Sequence, residues 1–369
     1  MQTPTPIRQT SHPGDRSPAR LEAAWQRLRE TEPTLRIRDA AARLGVAELE
    51  LLALDCGKTV TRLTGPWNEL LHGLPRLGPV MALTRNEYAV HEKHGRYGKI
   101  SLNGATGLVL NDAIDLRLFL DHWRHGYAVT ETGADGEPRR SLQFFDRYGQ
   151  AVHKVYITQD SHSGHYADLV ERHAVKDQSP GQPVDIKPRP VPDMPDSIVD
   201  RASLAGHWRQ LRDTHDFHPM LRQRGVGRLQ AMRLAARDLA WPVSNASAQY
   251  ILQFVAGEAI PIMVFVASPG TVQIHTGPVH NLRRSGPWIN VLDEGFNLHL
   301  RDACLASSWV VRKPTEDGVV TSLELFDDRD ELVVQFFGKR KPGTPELDAW
   351  RDLLDALPPA AGTARELAA

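Results

Sequence analysis

Residues 213–221 read DTHDFHPML, and within them His215 and His218 are the side chains with chemistry to offer. A neutral imidazole ligates iron or zinc through one ring nitrogen. On a helical turn, residues three apart lie on one side, ~5–6 Å apart at Cβ. The two axial ligands of a heme approach from opposite faces, so this pair can serve one iron only as alternates. A zinc site has little support: there is no HExxH, no CxxC and no third ligand at a fixed spacing. The competing role is a solvated or hydrogen-bonded ring, the ordinary fate of a histidine in a chain with 16 of them.

The surrounding residues decide where these rings stand. Ser203 is a candidate N-cap, with Leu204, His207, Trp208 and Leu211 following at helical spacing. Pro219 deep in a helix would clash with the carbonyl of His215, and it is comfortable only in a first turn. The chain therefore breaks between Thr214 and His218, and a new short helix ends near Gly225. That leaves His215 at a helix end, where a side chain can face a cleft. Arg228 opens the next helix, Lys313 lies in VVRKPTEDG, and GKRKPG supplies Lys339, Arg340 and Lys341. Lys339 and Lys341 read as a solvated basic loop. The others could cradle carboxylates through charge-assisted bonds. A heme, with two propionates and an apolar macrocycle, needs a ligand, cations and apolar walls, and this half has candidates for each. Phe217, Phe336 and Phe337 read more readily as core than as heme-stacking rings.

With 369 residues the chain is long enough for two domains, and its formal net charge of -1 gives no overall basic field for nucleic acid or membrane. The start, MQTPTPIRQTSHPGDRSPAR, is polar and Pro-rich, without the apolar core of a secretory signal. No run approaches the ~18 apolar residues of a membrane span. Two cysteines, Cys56 and Cys304, exclude a disulfide framework and Cys-rich metal sites. These features point to a cytoplasmic protein.

The chain repeats itself. RDAAARLGVAELELLALDCG (38–57) aligns with HPMLRQRGVGRLQAMRLAAR (218–237), pairing Gly45 with Gly225. Further on, His91 pairs with His275 and Arg117 with His299, and each half closes on a helix, HYADLVERHAV or ELDAWRDLLDAL. SLQFFDRYGQAVHKVYIT and SLELFDDRDELVVQFFG read as hairpins, VMALTR and PIMVFVAS as strands, and AIDLRLFLDHW has helical spacing. The expected fold is α+β: two tandem, structurally similar halves, pseudo-two-fold related, each a large antiparallel sheet with flanking helices. The expected organisation is a disordered arm over 1–20, a first repeat over 21–175, a Pro-rich polyproline II linker over 176–198, a second repeat with the cleft over 199–358, and a tail over 359–369.

DTHDFHPMLRQRG, NEYAVHEKHGRYG, DAIDLRLFLDHW, HKVYIT and VVQFFGKR, in this order within two repeated halves, resemble the bacterial HemS-like hemin-transport or hemin-degrading proteins over nearly all of residues 30–355. The resemblance implies one heme in a cleft bordered mainly by the second half. It places the proximal iron ligand on His215 with His218 as an alternative, pocket cations on Arg228, Lys313 and Arg340, and Gln335 beside them. The distal, catalytic arginine falls on Arg117, with Arg124 as the competing position. The family divides into members that open the porphyrin oxidatively with an external electron donor and members that hold heme and deliver it to a separate heme oxygenase. The His215/His218 pair leans toward handover. No GxGxxG opens a helix, so electrons would come from a reductase. Implied partners are heme, a heme oxygenase or reductase, and an inner-membrane heme transporter, in heme uptake and iron acquisition.

One reading comes from another class. IRDAAARLGVAELELLAL has two short helices about a Gly, the pattern of a DNA-reading helix-turn-helix. Its charges, Arg36, Arg38 and Arg43 against Asp39, Glu48, Glu50 and Asp55, do not make the basic face that a regulator needs. No stable nucleic-acid complex is expected.

Overall fold

The computed structural model describes residues 17–133, 135–341 and 343–361. In chain order the helices are α1 (Pro18–Thr31), α2 (Ile37–Leu44), α3 (Glu48–Leu52), α4 (Trp67–Gly73), α5 (Ser163–His173), α6 (Arg201–Arg209), α7 (Phe217–Arg224), α8 (Arg228–Leu234), α9 (Ser247–Gly257) and α10 (Asp348–Asp355). The strands are β1 (Val60–Leu63), β2 (Pro79–Arg85), β3 (Ala89–Arg96), β4 (Lys99–Asn103), β5 (Thr106–Leu110), β6 (Asp115–Phe119), β7 (His125–Thr132), β8 (Pro138–Phe145) and β9 (Ala151–Ile157). They continue with β10 (Ala240–Val243), β11 (Ile262–Ala267), β12 (Thr271–Gly277), β13 (Leu282–Ser285), β14 (Trp288–Asp293), β15 (Phe296–Leu300), β16 (Ser307–Thr315), β17 (Gly318–Phe326) and β18 (Leu332–Gly338). The fold is α+β with large antiparallel sheets and flanking helices.

The chain forms two compact units, one ending at Val80 and resuming over Phe119–Lys187, the other made of Met81–Leu118 and the chain from Pro188 onward. These units do not coincide with the repeats, because residues 81–118 of the first repeat build strands of the second unit. In the first unit β1, β7, β8 and β9 lie side by side, with α3 packing Leu49 and Leu52 against Tyr127 and Phe145. In the second unit, one sheet runs β10-β16-β17-β18-β11-β12-β6-β5-β4, and the strands β2-β3-β15-β14-β13 form another array.

Two predicted hairpins, β8–β9 and β17–β18, are present, as are α5 and α10 at the ends of the repeats. Trp350, Leu353 and Leu354 of α10 and Ile251, Leu252 and Val255 of α9 pack with Val264, Val310, Leu323 and Phe336 from one face of the nine-stranded sheet. The opposite face carries Trp309 and Val311, on which α6, α7 and α8 place Trp208, Phe217 and Leu229. Pro219 stands in the first turn of α7, and α7 stops at Gly225 with φ +64, just as α2 stops at Gly45 with φ +68; only glycine takes this conformation without strain.

Several expectations need correction. AIDLRLFLDHW is not a helix: it forms β6 and a short 3-10 turn over Leu120–His122. Leu116 and Leu118 are buried while Asp115, Arg117 and Phe119 point the other way, a period of two that pairing with β12 exploits. The cap of α6 is Asp200, whose carboxylate accepts the Ser203 amide; Ser203 itself is inside the helix. The helix-turn-helix geometry exists as α2 and α3, but every residue of α3 is buried, so it has no face to lay in a DNA groove. Of the expected arm, Pro18–Arg20 form the first turn of α1, and residues 1–16 lie outside the described residues. In the expected tail, Pro359 bridges to Val243, and residues 362–369 lie outside the described residues. The Pro-rich segment has no helix or strand from 176 to 195.

Candidate functional site

All the candidate ligand and cation positions of the second repeat fall in the second unit. The chain leaves α6, and Asp213 takes an extended conformation and caps a 3-10 turn over Thr214–Asp216 that leads directly into α7. One carboxylate oxygen, Asp213 Oδ1, accepts the His215 amide at 2.9 Å and meets His215 Nδ1 at 2.6 Å. A carboxylate only accepts, so Nδ1 carries the hydrogen of this bond, and in the neutral ring the lone pair lies on Nε2. The His215 side chain is 84% exposed, so that lone pair is accessible. The His215 amide, together with its ring, holds the Asp213 carboxyl below the usual range. His218 follows in the first turn of α7, exposed, and partial burial plus the charges of Arg222 and Arg228 lower its pKa, favouring the neutral form that can ligate.

Beside this turn Arg228, Lys313 and Gln335 gather on a carboxylate that the sequence did not reveal. That carboxylate is Glu324, fully buried at the centre of the cluster. Arg228 donates to it twice, from Nε at 2.7 Å and Nη2 at 2.8 Å. Lys313 Nζ donates at 2.8 Å, Gln335 Nε2 at 2.9 Å and the Ser322 hydroxyl at 3.1 Å. Burial alone would raise the Glu324 pKa, but Arg228 and Lys313 outweigh it and hold the carboxyl far below its usual range. The cluster thus has two cations and one anion, a net charge of plus one. Phe217, buried against Trp208, lies under both cations, 5.4 Å from Arg228 and 4.8 Å from Lys313.

Strand register extends this cluster into a surface. Glu324, Gln335, Phe265, Ile274 and Asp115 are successive cross-strand partners, so they share one face of the sheet. Ser322, Phe337, Met263 and Thr276 form the next row on the same face, and Ala267, Val272 and Arg117 a row on the other side. Met263, Phe265, Val272, Thr276, Gln335 and Phe337 are all half-buried, whereas the residues between them on β11 and β18 are buried against α9 and α10. Helices α6–α8 cover the β16–β17 end of this face and leave a half-open, mainly apolar floor beyond it. From Gln335 to Asp115 the floor is three strand spacings wide, about 14 Å.

The structure therefore brings Arg228, Lys313 and Gln335 together on Glu324, with His215 and His218 on the adjoining turn. Arg340, half-buried, lies two residues past the end of β18. Arg117 shares the floor's face, but its guanidinium is ion-paired with Asp115. Arg124 belongs to the first unit. Phe336 is core, as read from the sequence, and Phe337 faces the floor, 4.9 Å from Phe265. Sequence reasoning missed Asp213, Glu324 and the floor. The signals were present: an Asp two residues before a His, a carboxylate inside the otherwise apolar run SLELF, and apolar residues at alternate positions of both phases in PIMVFVAS. Among the described residues, no cluster of three or more His, Cys, Asp or Glu could hold a bare metal ion.

An imidazole on an exposed turn, a cationic cluster and an open apolar sheet face have the chemistry that a large planar, acid-bearing ligand needs. The model of the haemin-degrading HemS.ChuX domain matches residues 45–173 and again 225–357, and the chain belongs to this family. It is 37% identical over 340 residues to the hemin transport protein HmuS of Yersinia pestis, covering 92% of this chain and 97% of that protein. To the hemin transport protein HemS of Yersinia enterocolitica it is 39% identical over 321 residues, covering 87% of this chain and 92% of that protein. Among solved structures it resembles holo-PhuS, a heme-binding protein from Pseudomonas aeruginosa, with TM-score 0.89 and 45% identity over 92% of this chain and 99% of that one. It also resembles the Escherichia coli O157:H7 heme degrading enzyme ChuS, with TM-score 0.86 and 36% identity over 93% of this chain and 100% of that one.

Proposed function

We propose that the chain binds heme on the second unit with His215 as the axial iron ligand, and that it serves cytoplasmic heme handling in bacterial heme uptake and iron acquisition. The observation that carries this reading is the exposed His215 ring, held through Nδ1 by Asp213 on the turn that adjoins the cationic cluster, from which the apolar floor extends. Bound heme supplies an iron with axial positions and two propionates. The chain supplies the rest. Met263, Phe265 and Phe337 take the apolar macrocycle and exclude water. Arg228 and Lys313, held in place by Glu324, give propionates a net positive charge, and Arg340 adds a cation from the loop. The Gln335 amide stands among them. Hemin transport proteins at 37% and 39% identity and a heme-binding protein at 45% support the reading.

The bound heme is passed on. His218, one helical turn away, exposed and neutral, is the alternate ligand through which iron moves toward a recipient such as a heme oxygenase, after supply by an inner-membrane heme transporter. Among the described residues no helix is long and apolar enough to cross a membrane.

Oxidative ring opening is the second reading, favoured by one observation: Arg117 lies on the same sheet face as Gln335, across the floor. There a guanidinium could hold water against the heme, with electrons from a reductase. Incubating the hemin complex with ascorbate and catalase separates the two. Handover predicts an intact Soret band that transfers to added heme oxygenase. Loss of the band with release of a linear tetrapyrrole, suppressed in Arg117→Ala, supports degradation instead. Hemin that shows the same spectrum with the protein as in buffer contradicts both.

A further inference from the structure

We infer that Asp213 is a positioning residue that makes His215, rather than His218, the primary iron ligand. The inference rests on the reading of His215 as a ligand. A ring that is 84% exposed has no packing to orient it. Its orientation comes from Asp213 Oδ1, which holds the ring at 2.6 Å and the amide of the same residue at 2.9 Å. Two bonds to one oxygen fix the ring relative to its own backbone. They also fix the tautomer, because an acceptor-only carboxylate keeps the hydrogen on Nδ1 and the lone pair on Nε2. A carboxylate behind a ligating imidazole raises the ring's basicity and so strengthens its bond to the metal. His218 is differently placed: among the described residues no hydrogen-bond partner orients its ring. The two imidazoles are therefore unequal before any ligand arrives, and Asp213 is the source of the inequality. Handover from His215 to His218 then runs from an oriented ring to an unoriented one, the order a releasing step needs.

Asp213→Ser separates this role from a structural one. Serine still caps the turn by accepting the His215 amide, but it places no carboxylate against the ring. Asp213→Asn keeps a weaker acceptor and gives a graded comparison. Three readouts apply: the His215 ring tautomer by nitrogen-15 NMR without hemin, the iron–histidine stretching band of the ferrous hemin complex, and hemin release to excess apomyoglobin. The expected result in Asp213→Ser is mixed Nδ1–H and Nε2–H tautomers, a lower stretching frequency and release faster by about tenfold or more, with Asp213→Asn between it and the parent. Adding His218→Ala to Asp213→Ser should remove much of the remaining histidine-ligated signal, while His218→Ala alone changes little. Unchanged tautomer, band and release rate in Asp213→Ser, with a histidine-ligated parent, overturn this inference alone. A parent complex without histidine ligation overturns the ligand reading on which it rests.

Discussion

Lys154 donates to Glu48 across 2.7 Å in the first unit, at the positions where the second unit has Gln335 and Arg228. The correspondence follows from the Gly45–Gly225 alignment and from strand register, since Gln143 faces Lys154 as Glu324 faces Gln335. The duplication thus kept an ion pair between the helix and the sheet, but in the second unit the cation takes the helix position and its acid stands one strand over, at the position of Gln143. Continuing the same alignment puts Leu35 and Arg38 where the second unit has His215 and His218. The first unit has the scaffold of the site without its imidazoles. Hemin titration should therefore saturate at one equivalent per chain with a histidine-type spectrum. A second equivalent with the same spectrum would contradict the assignment of the site to the second unit.

Glu324 holds the cation cluster together, and removing it should be costly. Glu324→Ala leaves the Lys313 ammonium buried and unpaired, and breaking a buried pair from one side costs about 3–5 kcal/mol. Chemical denaturation should show a loss of that order. In Lys313→Met/Glu324→Leu, where both charges of the pair are replaced by apolar side chains, much of the stability should return while hemin affinity stays low. A double variant that binds hemin as well as the parent would show that Lys313 has no part in holding propionates.

Phe336 and Phe337 are neighbours on opposite faces of one sheet, and their substitutions should separate folding from binding. Phe336 is fully buried against α9 and α10, so Phe336→Ala should cost about 3–5 kcal/mol of stability. Phe337 is half-buried on the open floor, so Phe337→Ala should cost much less stability and weaken hemin binding by about tenfold, or about 1.4 kcal/mol. Urea denaturation and hemin titration on the same two proteins decide it. Equal effects of both substitutions on both measurements would show that the floor is not a binding surface.

Acid should destabilise the chain before its carboxylates protonate. Burial pushes His275 down to about 3, assisted by Lys93, whose Nζ lies 3.2 Å from its Nδ1. Burial alone takes His153 to about 3, and burial together with Arg124 takes His125 to about 4. His91, fully buried and, like His275, in contact with the Phe296 ring, is held well below the usual range by burial and by His275. In each case the unfolded chain binds the proton first. The stability is therefore whole above about pH 6.5 and is lost as pH falls from there toward the folded values. At pH 5 the loss is about 2 kcal/mol for each of His275 and His153. Melting temperature should be flat from pH 8 to 7 and fall below 6.5, less steeply in His153→Phe. A flat profile down to pH 5 would show that these rings are not buried neutral in solution.

Much of the site was legible because local chemistry dictates it. Pro219 confined α7 to a start just beyond His215, Gly225 ended it, and Arg228 began α8. The strands of PIMVFVAS and the two hairpins followed from alternation and Asp/Gly turns. The failures share a cause: long-range pairing. AIDLRLFLDHW satisfies a helical period as well as a strand period, and only its pairing with β12 selects the strand. Nothing local shows that residues 81–118 join the second unit. Glu324 sits in an ordinary strand sequence, and its role appears only when Arg228 and Lys313, 96 and 11 residues away, meet on it. Arg117, read as the distal catalytic candidate, is ion-paired with Asp115 on the face of the floor, a contact two residues apart that only the strand conformation sets.

The claim on which the account rests is that His215 grips heme iron and His218 is the substitute. The direct test compares absorption and magnetic circular dichroism spectra of the hemin complexes of the parent, His215→Ala, His218→Ala and the double variant. The account predicts an unchanged spectrum in His218→Ala, a changed but still histidine-ligated spectrum in His215→Ala, and no specific complex in the double variant. A double variant with the parent's spectrum and affinity would contradict it.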